Sequence, residues 1–221
     1  MNQGTIEVRG QGRATVDPDV AVVALTISVI RDSYSKTMTT LNDQIDTLRD
    51  ELGEQGIDRE QLKTTGFGIE EHYELQERKN YKTDPKPIFA GFDGTHSLEL
   101  RLPVDTDLLN RVLMAVADSE TDARFSLSFT IRDPTRIKRK MLAAGVREAR
   151  ADAEAMAEAA GASLGAVLRI DYTWNEVHFT SEVTYSDPPP MSEGHSAMPD
   201  IEPNSISGSE EVRVQWELVQ A

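Results

Sequence analysis

Residues 134–165 constrain this chain more than any other stretch. Leu142, Val146, Ala149, Ala153, Met156 and Ala160 recur at alternating steps of four and three, which draws one apolar stripe along a helix. Arg147, Glu148, Arg150, Asp152 and Glu154 lie beside and behind that stripe. Pro134 suits the first turn, where its missing N–H is not needed, and Gly161 suits the stop. A helix of this length spans roughly 40 Å. Its stripe is mostly alanine, so it can lie close against a flat partner, and a β-sheet is the expected one.

Strands are legible on either side. Thr5 to Val16 alternates, with Ile6, Val8, Ala14 and Val16 on one face and Glu7, Arg9, Gln11, Arg13 and Thr15 on the other. Gly10 and Gly12 fall on the apolar face, where they admit the close approach of another element. A phosphate loop is the sharper reading of Gly10-Gln11-Gly12, but no third glycine follows and no helix opens behind it. Asp17-Pro18-Asp19 reads as a turn, so Val20 to Ile30 is expected to fold back on the first strand as a hairpin. A helix follows from Ser35 to Leu52, with Met38, Leu41, Ile45, Leu48 and Leu52 inward and Gly53 and Gly56 to end it.

Phe67 to Leu75 begins a third strand, and Arg78 to Pro87 reads as an exposed hairpin tip. Phe89 to Leu102 is the return strand. A helix capped by Asp105 or Thr106 then carries Leu109, Leu113 and Val116 inward. Ala123 to Ile131 alternates as a strand before the long helix, and Leu168, Ile170, Tyr172 and Trp174 mark another strand after it. Residues 186–209 carry five prolines and six serines, the composition of a long loop or flap. Val212, Val214, Trp216 and Leu218 form the final strand.

Hairpins and strand runs of this kind predict an α+β fold. The expected architecture is a largely antiparallel sheet with helices packed on one face, in the order ββα-ββαβ-αββ, with room for a central ferredoxin-like plait. Residues 1–221 are expected to form a single domain, with an outer subdomain of 1–60 plus 134–221 and a central one of 61–133.

Composition narrows the function. With 38 acidic against 23 basic residues the formal charge is −15, which argues against nucleic acid or an anionic membrane as partner. A lysine-poor, acid-rich surface also suits a salt-adapted protein. The absence of cysteine removes thiolate nucleophiles, disulfides and Cys-based zinc sites. No apolar run reaches the length of a membrane span. No leader pattern opens the chain, so it reads as cytoplasmic as it stands, and as periplasmic or exported if a leader has been removed.

Few side chains converge in the sequence. Asp93, His96 and Ser97 bring acid, base and hydroxyl together, but His96 and Ser97 point to opposite faces of a strand. Glu70, His72 and Glu74 share a strand face at a spacing that suits a metal, without a visible fourth ligand. His178 and His195 lie in or near the flap, and Trp174 and Trp216 sit in register with apolar strand faces, where core packing is the default and a stacking platform the alternative. Arg136, Lys138, Arg139 and Lys140 open the long helix as the one basic spot of an acidic chain, which reads as a solvated face, an anion site or, in preference, a contact with an acidic patch of a neighbouring subunit. No catalytic, cofactor-binding or metal residues are assigned, and no cofactor.

The run Ile6-Glu7-Val8-Arg9-Gly10-Gln11-Gly12 leading to Val16-Asp17-Pro18-Asp19-Val20-Ala21 resembles the SIMPL domain family. Further resemblance lies in Gly56-Ile57 followed by Thr64-Thr65, in the alanine-rich helix ending Ala160-Gly161-Ala162-Ser163-Leu164-Gly165, and in Ile201-Glu202-Pro203 ahead of Val212 to Trp216. The chain departs from the family's pattern at Asn204, where glycine is usual, and at Gly208, where an apolar residue is common; both are placed in the flap. The resemblance implies one SIMPL domain, export or envelope association in many members, and a tendency to ring- or channel-like homo-oligomers. It brings no established catalytic residues. The expected function is therefore a non-enzymatic, homo-oligomeric structural or stress-related assembly. The alternative is a small-molecule-binding protein or hydrolase, its ligand unspecified, with a pocket under residues 176–209.

Overall fold

The computed structural model of the chain describes residues 4–76, 86–172, 180–183 and 202–220. Its elements run β1 (Gly4–Val16), β2 (Val20–Arg31), α1 (Tyr34–Glu54), β3 (Lys63–Gln76), β4 (Lys86–Pro103), α2 (Thr106–Asp118), β5 (Ala123–Thr130), α3 (Pro134–Ala159), β6 (Ala162–Tyr172), β7 (Thr180–Val183) and β8 (Ile206–Gln220). A single 3-10 turn, Arg59–Gln61, precedes β3. The fold is α+β with antiparallel sheets, in the order the sequence predicts except that β7 is added between the last two strands. The chain divides into two compact units, one of Met1–Asp19, Thr130–Ser181 and Pro203–Ala221, the other of Val20–Phe129 and Glu182–Glu202.

In the first unit, β1 pairs with β8 along its whole length, from Gly4↔Leu218 to Val16↔Ile206, and β6 pairs with the other side of β8. Helix α3 covers one face of this three-stranded sheet. Asp133 caps it by accepting from Arg136 N, and Pro134 takes the first turn. Gly161, in the left-handed region at φ +70°, closes its far end with an N–H to Glu158 O. The buried face of α3 differs from the stripe predicted above. Ile137, Met141, Gly145, Ala149, Ala153 and Ala157 turn inward, each four residues from the last. Leu142 and Val146 pack at the flank, and Met156 is 54% exposed.

Backbone proximity explains the rotation. A Cβ placed on Gly12 would overlap Met141 O and lie 2.6 Å from Gly145 N; one placed on Gly10 would overlap Gly145 O and lie 2.6 Å from Ala149 N. Helix and strand thus touch backbone to backbone, and only the smallest residues fit the centre. The larger Leu142 and Val146, which dominate a reading weighted by side-chain size, are pushed aside.

The second unit reads β2-α1-β3-β4-α2-β5, with strand order β3-β4-β2-β5 and β7 added beyond β5. That connection pattern is a ferredoxin-like plait, which thereby includes β2 and α1. Its core is aliphatic: Val23, Leu25 and Ile27 of β2, Leu98 and Leu100 of β4, Leu41, Leu48 and Leu52 of α1, and Leu109 and Leu113 of α2 are all buried. Thr37 rather than Met38 opens the buried stripe of α1, its hydroxyl donating to Ser33 O and to Phe92 O. Asp105 caps α2 by accepting from Leu108 N at 2.9 Å.

Two further expectations fail. The hairpin of the first two strands does not form, because β1 pairs with β8 while β2 pairs with β4. The turn between them is pinned elsewhere: Ser205 Oγ donates to Asp17 at 2.6 Å, and Arg132 N donates to Asp19 at 2.7 Å. The flap also ends earlier than predicted, since β8 begins at Ile206 and Gly208 pairs with Ala14 inside it. The hairpin tip predicted from Arg78 lies almost wholly outside the described residues, as does most of the flap.

Candidate functional site

The side chains with acid–base chemistry sit mainly on β3 and β4, and strand parity decides what each can reach. His96 lies opposite Ile27 and Phe67, on the same side as Gly94, whose Cβ position is filled by Thr37 and Leu41 of α1. It therefore faces the helices. Its Nε2 is 2.9 Å from Thr64 Oγ1, and the Phe67 ring meets it edge-on at 5.5 Å. Nδ1 is buried without a hydrogen-bond partner. Desolvation, and behind it the Arg49 guanidinium, holds the imidazole below its usual pKa, so the neutral ring is favoured. Asp93 and Ser97 point to the other face of the sheet. No nucleophile–base pair forms among these three residues.

Glu70, His72 and Glu74 share a face of β3, with His72 Nε2 3.9 Å from Glu74 Oε1. Among the described residues no group of three or more such side chains is arranged to hold a metal. Trp216 is 2% exposed in the core under α3. His72 and His96 thus do not converge, since they occupy opposite faces of the plait sheet; Trp216 packs inside the other unit. Trp174, His178 and His195 lie outside the described residues. The phosphate reading of Gly10-Gln11-Gly12 fails, because the backbone of α3 fills the space over both glycines.

In the basic start of α3, one of the four cations is engaged within the chain. Lys138 Nζ reaches Glu210 Oε1 at 3.2 Å, an ion pair in which the Glu210 side chain is 1% exposed. Arg136, Arg139 and Lys140 stay exposed. Glu210 faces Gly12 across the β1–β8 ladder, on the side that α3 covers. It occupies an inward position of the Ile206, Gly208, Glu210, Val212 series. Extending the alternation two residues back from Val212 finds it, and starting the strand at Val212 hides it. A buried pair of this kind is costly to break.

The opposite face of the three-stranded sheet is charged. Arg9 approaches Glu211 at 3.8 Å, Arg213 approaches Glu7 at 3.5 Å, and Arg169 approaches Asp171 at 2.5 Å. A shallow recess of about 270 Å³ lies among Arg169, Asp171, Tyr172, Glu211 and Arg213. Its cations and anions already neutralise one another, so it presents little net field to a charged ligand. No helix, among the described residues, is long and apolar enough to cross a membrane.

Comparison with known proteins agrees with this reading of the fold. The chain is 28% identical over 169 residues to the 26 kDa periplasmic immunogenic proteins of Brucella melitensis biotype 1 and of Brucella abortus. The match covers 75% of this chain, and the chain spans 65% of the length of these curated relatives. The sequence pattern of SIMPL, described as a protein of unknown function (DUF541), matches residues 6–216, and on that match the chain belongs to the SIMPL family.

Proposed function

We propose that this chain is a non-enzymatic subunit of a homo-oligomeric assembly of the cell envelope, with a structural or stress-related role. The observation that carries the reading is the amount of large apolar surface left on its strands. Phe67, Tyr73, Leu75, Ile88 and Phe89 on the β3–β4 pair, and Val167, Leu168, Ile170 and Tyr172 on β6, are each between 46% and 67% exposed. Tyr73, Phe89, Phe92 and Tyr34 form a chain of edge-on ring contacts at 5.3–6.0 Å. These linked rings are an apolar patch, and a patch of this kind marks an interaction face more often than a solvated one. The envelope location is supported by the relatives, which are named periplasmic.

Sedimentation velocity over a range of protein and salt concentrations tests the proposal. Species heavier than one chain are expected. They should grow from low to molar salt, because a charge of −15 on every subunit repels its neighbours and salt screens that repulsion over about 10 Å at 0.1 M. A single monomeric species at every concentration overturns the reading.

A further inference from the structure

We infer that the outer edge of β6 is a self-complementary dimer edge, at which two copies of the chain join their three-stranded sheets about a two-fold axis at Ile170. The inference rests on the assembly proposed above and names the surface that makes it. Among the described residues β6 is a terminal strand of its sheet, in the order β1-β8-β6, so its outward backbone groups have no strand partner there. Natural edges are often blunted by bulges, and β6 has register shifts between Leu164 and Val167 and between Val167 and Arg169. From Arg169 to Tyr172 the ladder is regular, so this stretch remains able to accept another strand.

Its residues divide cleanly by face. Ile170 and Tyr172 lie opposite Val214 and Val212, on the side of α3, yet they are 52% and 49% exposed whereas those two partners are buried. Arg169 and Asp171 lie on the other side, opposite Gln215 and Arg213. An antiparallel copy centred on Ile170 sets Arg169 opposite Asp171 of the second copy, and Asp171 opposite its Arg169. Ile170 then meets its own counterpart. On the charged face the Arg169–Asp171 pair of each chain is joined to that of its copy in an alternating four-charge cluster, and the apolar face gains a continuous stripe beside the core of each copy.

Register follows from the same residues. Moving the centre by one residue sets Arg169 against Arg169, or Asp171 against Asp171. An intermediate slip sets charged residues against Ile170 and Tyr172. Only the Ile170 centre pairs opposite charges and keeps apolar side chains together. A chain of net charge −15 needs such local complementarity to approach its own copy.

Charge reversal and cross-linking test the edge in the full chain. Arg169→Asp and Asp171→Arg, each alone, should weaken association roughly tenfold, since two-fold symmetry loses both pairs at once. The double reversal should restore it. The absence of cysteine makes Ile170→Cys a clean probe. Directly opposed residues have Cα atoms about 4.5–5.5 Å apart, within disulfide range, so mild oxidation should yield a covalent dimer. Val219→Cys, at a similarly exposed position of β8, should not cross-link. If the unsubstituted chain sediments above monomer but Ile170→Cys cross-links no better than Val219→Cys, the β6 edge is overturned and the assembly stands. A monomeric unsubstituted chain overturns both.

Discussion

Helix α1 meets its sheet through Leu41, Ile45, Leu48 and Leu52, all at most 3% exposed, whereas α3 meets its own through Met141, Gly145, Ala149 and Ala153. The first contact is made by interlocking aliphatic side chains. The second is set by the distance between two backbones, with Gly10 and Gly12 on the strand side. Both satisfy the same demand, to dry one face of a sheet, but they distribute the free energy differently. Large side chains contribute by the apolar area they remove from water, about 25 cal/mol per Å². A close backbone contact buries less apolar surface per residue and gains instead from short-range packing over many small groups. The two units should therefore fail in opposite ways, the plait by losing volume and the α3 unit by gaining it.

The largest effect is expected where volume is added to the closer contact. Gly12→Val introduces a branched side chain whose Cβ alone lies 2.6 Å from Gly145 N and overlaps Met141 O. Both obstacles are backbone and cannot rotate away. The loss should reach about 3 kcal/mol, the upper end of ordinary overpacking costs. Unchanged thermal stability would remove the close-contact argument. Leu48→Ala is the counterpart in the plait. It deletes a fully buried side chain, and a loss of about 2–3 kcal/mol is expected from the transfer and cavity terms together. Denaturant unfolding of both variants, followed by hydrogen exchange resolved along the chain, separates the units. A loss confined to the plait in Leu48→Ala and to the α3 unit in Gly12→Val sustains the comparison; the same pattern in both would erase it.

A pH series sharpens it further. Burial and Arg49 hold the imidazole of His96 below its usual pKa, so protonation is less favourable in the folded plait than in the unfolded chain. The corresponding stability is fully present above about pH 6.5, the ordinary histidine value, and is lost as pH falls below it. Exchange protection in the plait should weaken over that interval, and His96→Phe should flatten the dependence. An unaltered slope in that variant would assign the effect to other groups.

These contrasts also explain what the sequence disclosed. The stripe Leu41, Ile45, Leu48 and Leu52 was legible because large residues at helical spacing mark the core unambiguously. Gly10 and Gly12 disclosed a close approach because glycine on the apolar face of a strand has few other uses. The matching face of α3 is hidden in the sequence, because Gly145 and Ala157 carry little hydrophobic signal next to Leu142 and Met156. Glu210 is hidden for a related reason: a carboxylate at an inward position reads as the end of a strand until Lys138 is known to meet it. Adjacency predicts a β1–β2 hairpin, but the partner of β1 lies far along the chain, and no local pattern reports so distant a pairing. As for a site, parity alone separated His96 from Ser97, and the fold keeps them apart.

The smallest effect, and the sharpest probe of the comparison, is Gly145→Ala. Two terms of similar size oppose one another. Replacing glycine by alanine inside a helix gains about 1 kcal/mol, because the unfolded chain loses conformational freedom and the helix does not. The added methyl, however, would sit 3.0 Å from Gly12 N, 3.1 Å from Val212 Cγ2 and 3.2 Å from Gly10 O. The Val212 side chain can adjust by a few tenths of an ångström. The two strand atoms belong to a ladder paired along its whole length with β8, so they yield less readily. Overpacking costs begin near 1 kcal/mol, and this contact is milder than the overlap at Gly12. The terms should nearly cancel, leaving a net change within about 1 kcal/mol and most plainly below that of Gly12→Val. A gain approaching the full helix-propensity value would show slack between α3 and β1, and the distinction between the two helix–sheet contacts would then be one of side-chain size alone. A loss as large as that of Gly12→Val would show that the contact admits no adjustment from either side.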